Sequence, residues 1–135
     1  MTNPDLPLRP ARHLPSATTR QRIGLFGGSF DPPHPGHLHV ARTARKHLGL
    51  DQVWWIPARG NPLKAKASPF DTRLVDLRKL LAGDPAMRVS DIEQQAELTY
   101  TVDMVTLWQR HCRHAKLVWV MGGDSLASFH RWHQW

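Results

Sequence analysis

Two histidines, His34 and His37, lie three residues apart in the segment GGSFDPPHPGH, which follows a short apolar run. A helix is predicted to begin at the end of this segment, so its free N–H groups and its positive dipole end would face the same space as both imidazoles. At the start of the segment, Gly27 and Gly28 let the backbone turn sharply and approach a ligand without a Cβ in the way. The arrangement indicates a site for an anion such as phosphate, and we call residues 27–37 the phosphate loop.

A metal site is the alternative use for the histidines of this sequence. His39 is expected to point away from the other two across the predicted helix, and no cysteine or well-spaced carboxylate completes a zinc set beside them. A second group, His111, Cys112 and His114, is adjacent to Arg110 and Arg113, which would repel a cation. We interpret that group as a polar helix end, and we predict no metal held by protein ligands alone.

Composition limits the class of protein. The chain has 135 residues, one cysteine and a formal net charge of +7. A single core is feasible at this size, and the charge favours anionic partners such as nucleotides or nucleic acid. The lone Cys112 cannot form an internal disulfide, which fits a reducing cytoplasm. There is no apolar run of about 18 residues, so we expect no membrane span.

The order of predicted elements indicates an α/β domain preceded by a tail. Residues 1–21 are rich in proline and lack apolar periodicity, so we expect a flexible tail; a transit peptide is the alternative, which the prolines and Asp5 weaken. Short apolar runs alternate with helical patterns over residues 22–135, which predicts a doubly wound, Rossmann-like parallel sheet with flanking helices. The predicted strands are 23–26, 53–56, 87–90 and 116–121, and the predicted helices are 36–48, 71–81 and 100–112.

The polar segments of the chain follow the predicted strands. The phosphate loop follows the first strand, residues 57–66 follow the second, and residues 122–125 follow the fourth. Ligands of such folds bind beyond the carboxyl ends of the strands, where the strand order reverses. We therefore expect these three loops to meet at one site, whereas the tryptophans inside elements are expected to pack in or near the core: Trp54, Trp55, Trp108 and Trp119.

The phosphate loop resembles the G-x-F-D-x-x-H-x-G-H motif of the adenylyltransferase and cytidylyltransferase superfamily, which is related to class I aminoacyl-tRNA synthetases. Further segments are similar to bacterial nicotinate-nucleotide adenylyltransferases. These are Ile56-Pro57 with Asn61-Pro62-Leu63-Lys64, the run Leu98-Thr99-Tyr100-Thr101-Val102-Asp103-Met104, and Gly122-Gly123-Asp124-Ser125-Leu126 with Phe129 and Trp132. The resemblance runs in order from residue 22 to residue 135.

The resemblance implies transfer of AMP from ATP to nicotinate mononucleotide, which gives deamido-NAD and pyrophosphate. It implies that His34 and His37 are catalytic and contact the ATP phosphates, and that Mg²⁺ accompanies ATP. The remaining residues implied for ATP binding are Gly27, Gly28, Ser29, Phe30, Gly122 and Asp124. The residues implied for the second substrate are Lys64, Tyr100, Thr101 and Trp132.

The sequence departs from this family after the fourth strand. Family members continue with a helix, a fifth strand and a Ser/Thr-rich motif ending in arginine, whereas this chain stops at Trp135. We therefore expect an incomplete domain whose unpaired sheet edge favours self-association. Leu63 is a smaller departure, because many members carry histidine there. Two other functions stay open: another adenylyltransferase, such as the phosphopantetheine enzyme, and a non-catalytic nucleotide or RNA binder, although no specific nucleic acid is expected.

Overall fold

The computed structural model describes residues 20–59, 68–95 and 100–135. Most of the predicted tail, the predicted substrate residue Lys64 and the start of the 98–104 run therefore lie outside the described residues. The strands are β1 (Arg22–Gly28), β2 (Gln52–Pro57), β3 (Met87–Val89) and β4 (Lys116–Val120). The helices are α1 (Pro35–Leu48), α2 (Phe70–Leu80), α3 (Ile92–Gln95), α4 (Thr101–His111) and α5 (Gly123–Ser128), and a 3-10 turn follows over Phe129–Arg131.

The four strands form one parallel sheet with the order β3-β2-β1-β4. In the centre of the sheet, Leu25 of β1 is paired in register with Trp54 of β2 and with Trp119 of β4. The chain winds from β1 through β2 to β3 in one direction, and β4 then pairs on the other side of β1. This confirms the predicted doubly wound architecture, and it puts the point where the strand order reverses between β1 and β4.

The core lies on both faces of the sheet, because adjacent strand residues point to opposite sides. On one face, Phe26 and Trp55 belong to a cluster that α1 and α2 cover. On the other face, Leu25, Trp54 and Trp108 belong to a cluster under α4. The predicted packing role of the tryptophans is confirmed: three are fully buried, and Trp119 is half-buried within the second cluster.

The end of α1 differs from the prediction. The apolar periodicity of the sequence predicts that Leu48 lies on the core side of the helix with Leu38 and Ala41, but Leu48 is 43% exposed, whereas Leu50 is 3% exposed and belongs to the core. The reason is Gly49, which adopts the left-handed conformation with φ 61° and ends the helix by donating its N–H to the Arg45 carbonyl. The chain reverses there, so the next leucine enters the core. Within the described ranges, no helix combines the length and apolar character needed to cross a membrane.

Candidate functional site

A cavity of about 680 Å³ opens at the carboxyl edge of the sheet, at the reversal point between β1 and β4. The phosphate loop forms one wall, the start of α1 forms the floor, and residues 122–125 after β4 form the opposite wall. The lining includes all eight residues predicted to bind ATP: Gly27, Gly28, Ser29, Phe30, His34, His37, Gly122 and Asp124. The structure thus brings two predicted polar segments, distant in sequence, to one concave site.

The two histidines form a reciprocal cap at the start of α1. The backbone N–H of Gly36 donates to Nδ1 of His34 at 3.1 Å, and the backbone N–H of His34 donates to Nδ1 of His37 at 3.2 Å. The two rings stack with their centroids 3.8 Å apart. Because each Nδ1 accepts a hydrogen bond, the proton of each neutral imidazole is assigned to Nε2. Both rings can therefore offer an Nε2–H donor without carrying a charge.

The spacing of the two histidines requires the glycine between them. A Cβ built on Gly36 would lie 2.9 Å from the imidazole of His34. Any side chain at this position would therefore push the His34 ring away from its cap. The structure thus supplies a packing reason for glycine at position 36.

The electrostatics of the cavity floor favour an anion. Burial, followed by the neighbouring imidazole of His34, lowers the pKa of His37 below its ordinary value, while the Asp124 carboxylate acts in the opposite direction. His37 is therefore a neutral donor at neutral pH in the free protein. Helix α1 has 14 residues and no acidic side chain in its own first turn, and its positive end borders the cavity.

The phosphate loop is fastened to the core by Phe30. This residue has a positive φ of 48°, which is uncommon for a residue with a side chain, and its ring is only 2% exposed. The ring packs against Phe26 and Trp55 of the core and against the ring of His37. Burial of the ring thus offsets the unfavourable backbone conformation. Because the ring is buried, Phe30 would contact a ligand in the cavity mainly through its backbone.

Of the residues predicted for the second substrate, Tyr100, Thr101 and Trp132 are described, and they do not line this cavity. Tyr100 and Thr101 are at the start of α4, and the ring of Tyr100 stacks on His133 with centroids 4.2 Å apart. Trp132 packs edge-on against Phe129 and Trp119. The Tyr100–His133 contact nevertheless joins the start of α4 to the segment that carries Trp132. Binding of a substrate by Tyr100, Thr101 and Trp132 stays a prediction.

Sequence reasoning missed two buried charged residues beside the phosphate loop, Arg73 and Glu93. Arg73 is 3% exposed and donates to backbone carbonyls, including that of Ser29 at 2.7 Å. Glu93 is 8% exposed and accepts the backbone N–H of Arg59 at 3.0 Å. A sequence signal existed for Arg73, because it falls at the helical spacing of the buried Leu77 on an otherwise apolar face. Nothing in the local pattern distinguishes Glu93 from an exposed glutamate.

Replacing Glu93 by glutamine is expected to change how stability depends on pH. Burial raises the pKa of Glu93 from 4.5 to about 7. Between those values the folded protein binds more protons than the unfolded chain, so wild-type stability falls as pH rises through this window. Glutamine removes that loss, which is on the order of 3 kcal/mol. The variant should therefore be more stable than wild type at about pH 8 and similar at about pH 4.

Urea unfolding at both pH values measures the effect of this change. The exposed carboxylate Asp71 at the start of α2 provides a matched control, because Asp71→Asn removes one negative charge without burial. A Glu93→Gln curve that follows wild type across the whole pH range would contradict the assignment of a buried acid with a raised pKa.

Among the described residues, no group of three or more His, Cys, Asp or Glu side chains is arranged to hold a metal ion. Two carboxylates line the cavity, those of Asp31 and Asp124. Asp31 accepts the backbone N–H of Ser68 at 2.9 Å, and its hydrogen bonds to Ser68 lower its pKa. These two carboxylates are the acidic side chains that the described lining offers to a cation.

The fold and the site define the class of this protein. A parallel sheet of order β3-β2-β1-β4, with the phosphate loop and residues 122–125 meeting at its reversal point, is a doubly wound α/β architecture with a ligand-sized cavity at that point. Residues 25–135 match the family model described as cytidylyltransferase-like, and the chain belongs to that family. The resemblance seen in the sequence is thereby confirmed.

Two of the curated relatives that are similar to this chain carry the same name. A Cereibacter sphaeroides protein named "Probable nicotinate-nucleotide adenylyltransferase" is 45% identical over 84% of this chain and 60% of its own length. A Ruegeria pomeroyi protein of the same name is 47% identical over 90% of this chain and 57% of its own length. The chain therefore spans about 60% of the length of these relatives.

The structural likeness supports the fold. The nicotinic acid mononucleotide adenylyltransferase of Plasmodium falciparum, solved with NaAD, superposes with a TM-score of 0.75 over 85% of this chain and 58% of that chain. Its sequence identity is 19%, so the likeness concerns the fold alone.

Proposed function

We propose that this chain carries the nucleotide-binding part of an enzyme that transfers AMP from ATP to nicotinate mononucleotide. The observation that carries the proposal is the convergence of the phosphate loop, the paired histidines and residues 122–125 on one cavity. The names of the relatives that are 45% and 47% identical support the choice of the second substrate.

In the proposed reaction, a phosphate oxygen of nicotinate mononucleotide attacks the α-phosphorus of ATP. The bond from that phosphorus to the bridging oxygen of the β-phosphate breaks, and pyrophosphate leaves with the electron pair. Such chemistry asks the protein for alignment and for stabilisation of charge on the leaving group. The Nε2–H donors of His34 and His37 and the positive end of α1 would meet that charge, and Asp124 would contact the ribose or adenine.

Mg²⁺ would accompany ATP and be held mainly by its phosphates. The cavity lining fits this arrangement, because the carboxylate of Asp31 already accepts a backbone N–H and Asp124 is the other carboxylate of the lining. A small cation that keeps several water ligands needs few protein ligands when phosphates supply the rest. Tyr100, Thr101, Trp132 and Lys64 would hold the pyridine mononucleotide.

Two further properties belong to the same proposal. Cys112, the single cysteine of the sequence, is buried and forms no internal disulfide, which is compatible with a cytoplasmic enzyme. Among the described strands β4 lies at an edge of the sheet, and Trp135 is largely exposed nearby in sequence, so self-association through this side is proposed.

The test is an assay of the purified protein with ATP, Mg²⁺ and nicotinate mononucleotide. Formation of deamido-NAD and pyrophosphate in equal amounts, resolved by liquid chromatography, is expected. Consumption of ATP with phosphopantetheine but not with nicotinate mononucleotide would assign another adenylyltransferase. Binding of RNA with a steep dependence on salt, and without any turnover, would favour the non-catalytic binder.

A further inference from the structure

The guanidinium of Arg73 lies in the interior of the loop region and is bound to backbone oxygen atoms from separate parts of the chain. Nη1 donates to the carbonyl of Ser29 at 2.7 Å and to that of Ala58 at 2.8 Å, and Nε donates to the carbonyl of Ser68 at 3.2 Å. These carbonyls belong to the phosphate loop, to the segment after β2 and to the residue pair before α2. One side chain therefore joins three segments at the carboxyl edge of the sheet.

A charge in this position needs an explanation other than packing. Burying a guanidinium is costly unless its donors are satisfied, and an apolar side chain of similar volume would fill the same space without that cost. Arg73 lies between Phe70 and Leu74 on α2, where the neighbouring buried side chains are apolar. Its charge-assisted hydrogen bonds to carbonyls are stronger and more directional than neutral ones. The arginine is therefore better suited to fixing loop geometry than to filling the core.

The bond to Ser29 has a direct consequence for the phosphate loop. In a trans peptide the C=O of one residue and the N–H of the next point in opposite directions. With the Ser29 carbonyl directed at the guanidinium, the N–H of Phe30 is directed away from it. Phe30 also holds the uncommon φ of 48°, so this peptide needs support from its surroundings.

We propose that Arg73 is a positioning residue that holds the phosphate loop in the conformation that accepts the triphosphate, with the Phe30 N–H as one of the phosphate donors. This extends the proposed function, on which it depends for the identity of the ligand. Arg73 acts through the backbone of Ser29 and does not itself contact the nucleotide. Its loss should therefore weaken recognition of the phosphates more than recognition of adenosine.

The test compares Arg73→Lys with wild type and with Arg78→Lys, an exposed arginine on the same helix. Lysine keeps the charge but cannot span the three carbonyls with one ammonium group. Calorimetry with ATP, pyrophosphate and adenosine, thermal unfolding, and ¹⁵N amide spectra of residues 28–30 are measured for each protein. Arg73→Met is measured in parallel as a variant that keeps the volume but not the charge.

We expect Arg73→Lys to remain folded, to change the amide signals of residues 28–30, and to bind ATP and pyrophosphate roughly tenfold more weakly with adenosine unaffected. Wild-type affinity together with unchanged amide signals would overturn the proposal. Unfolding of both Arg73 variants, or equal loss of ATP and adenosine binding, would also overturn it, because the residue would then serve stability alone. If wild type does not bind ATP, the proposed function fails, while the amide comparison without ligand still decides the role of Arg73.

Discussion

Replacing His37 by alanine is expected to lower the rate of deamido-NAD formation by roughly 100-fold to 1,000-fold, the range seen when one preorganised donor to a developing negative charge is removed. The variant loses an Nε2–H donor at the positive end of α1. It also loses the acceptor for the backbone N–H of His34, so the stacked partner ring is less well fixed. The rate constant for turnover should fall much more than the affinity for nicotinate mononucleotide, because in the proposed reaction the donor acts on the leaving pyrophosphate.

His39 provides the matched control, since it is an exposed histidine on the same helix and does not line the cavity. His39→Ala should keep wild-type turnover within about twofold, as expected for a surface change away from the site. Thermal unfolding of both variants should show that the fold survives. Near wild-type turnover in His37→Ala would remove His37 from the catalytic role.

Replacing Gly27 by alanine is expected to destabilise the protein by about 1–3 kcal/mol, the cost of inserting a methyl group into a filled space. A Cβ built on Gly27 would lie 2.5 Å from the tip of the Trp119 ring. That ring cannot move freely, because it packs against Trp132 on one side and belongs to the cluster under α4 on the other.

Gly123→Ala is the control for this substitution, because Gly123 also lines the cavity but a Cβ there meets nothing within 4 Å. As the first residue of α5, it should tolerate alanine or gain slightly from it. Urea unfolding of both variants measures the difference. Equal stability of Gly27→Ala and wild type would show that Trp119 does not restrict this position.

The sequence predicted the architecture because strands and helices here have distinct apolar patterns. The run around Leu25 and the run around Trp54 are continuously apolar, as expected for strands covered on both faces. The buried faces of the helices were predicted less well. At the end of α1, Leu50 is buried in the core, whereas the apolar periodicity predicts that Leu48 is buried there. Gly49 ends the helix through its own left-handed backbone, and the direction that the chain takes afterwards is decided by contacts distant in sequence.

The site could be predicted in part for a related reason. His34, His37 and the glycines form one continuous segment whose chemistry is visible without the fold. Arg73 and Glu93 act on carbonyl and N–H groups of other segments, and those contacts exist only after the sheet has brought its loops together. A buried charge of this kind is detectable in sequence only as a polar residue at an apolar helical position, which suffices for Arg73 and not for Glu93.

The cavity between β1 and β4 is proposed to bind the phosphates of ATP through the Nε2–H groups of His34 and His37. Titration of the protein with ATP, followed by ¹H–¹⁵N spectra of the imidazole nitrogens, tests this proposal most directly. We expect saturable binding in which the Nε2 signals of these two histidines shift, while the signals of the exposed His39 and His111 stay in place. ATP binding that leaves the signals of His34 and His37 unchanged, or no binding at all, would contradict the account.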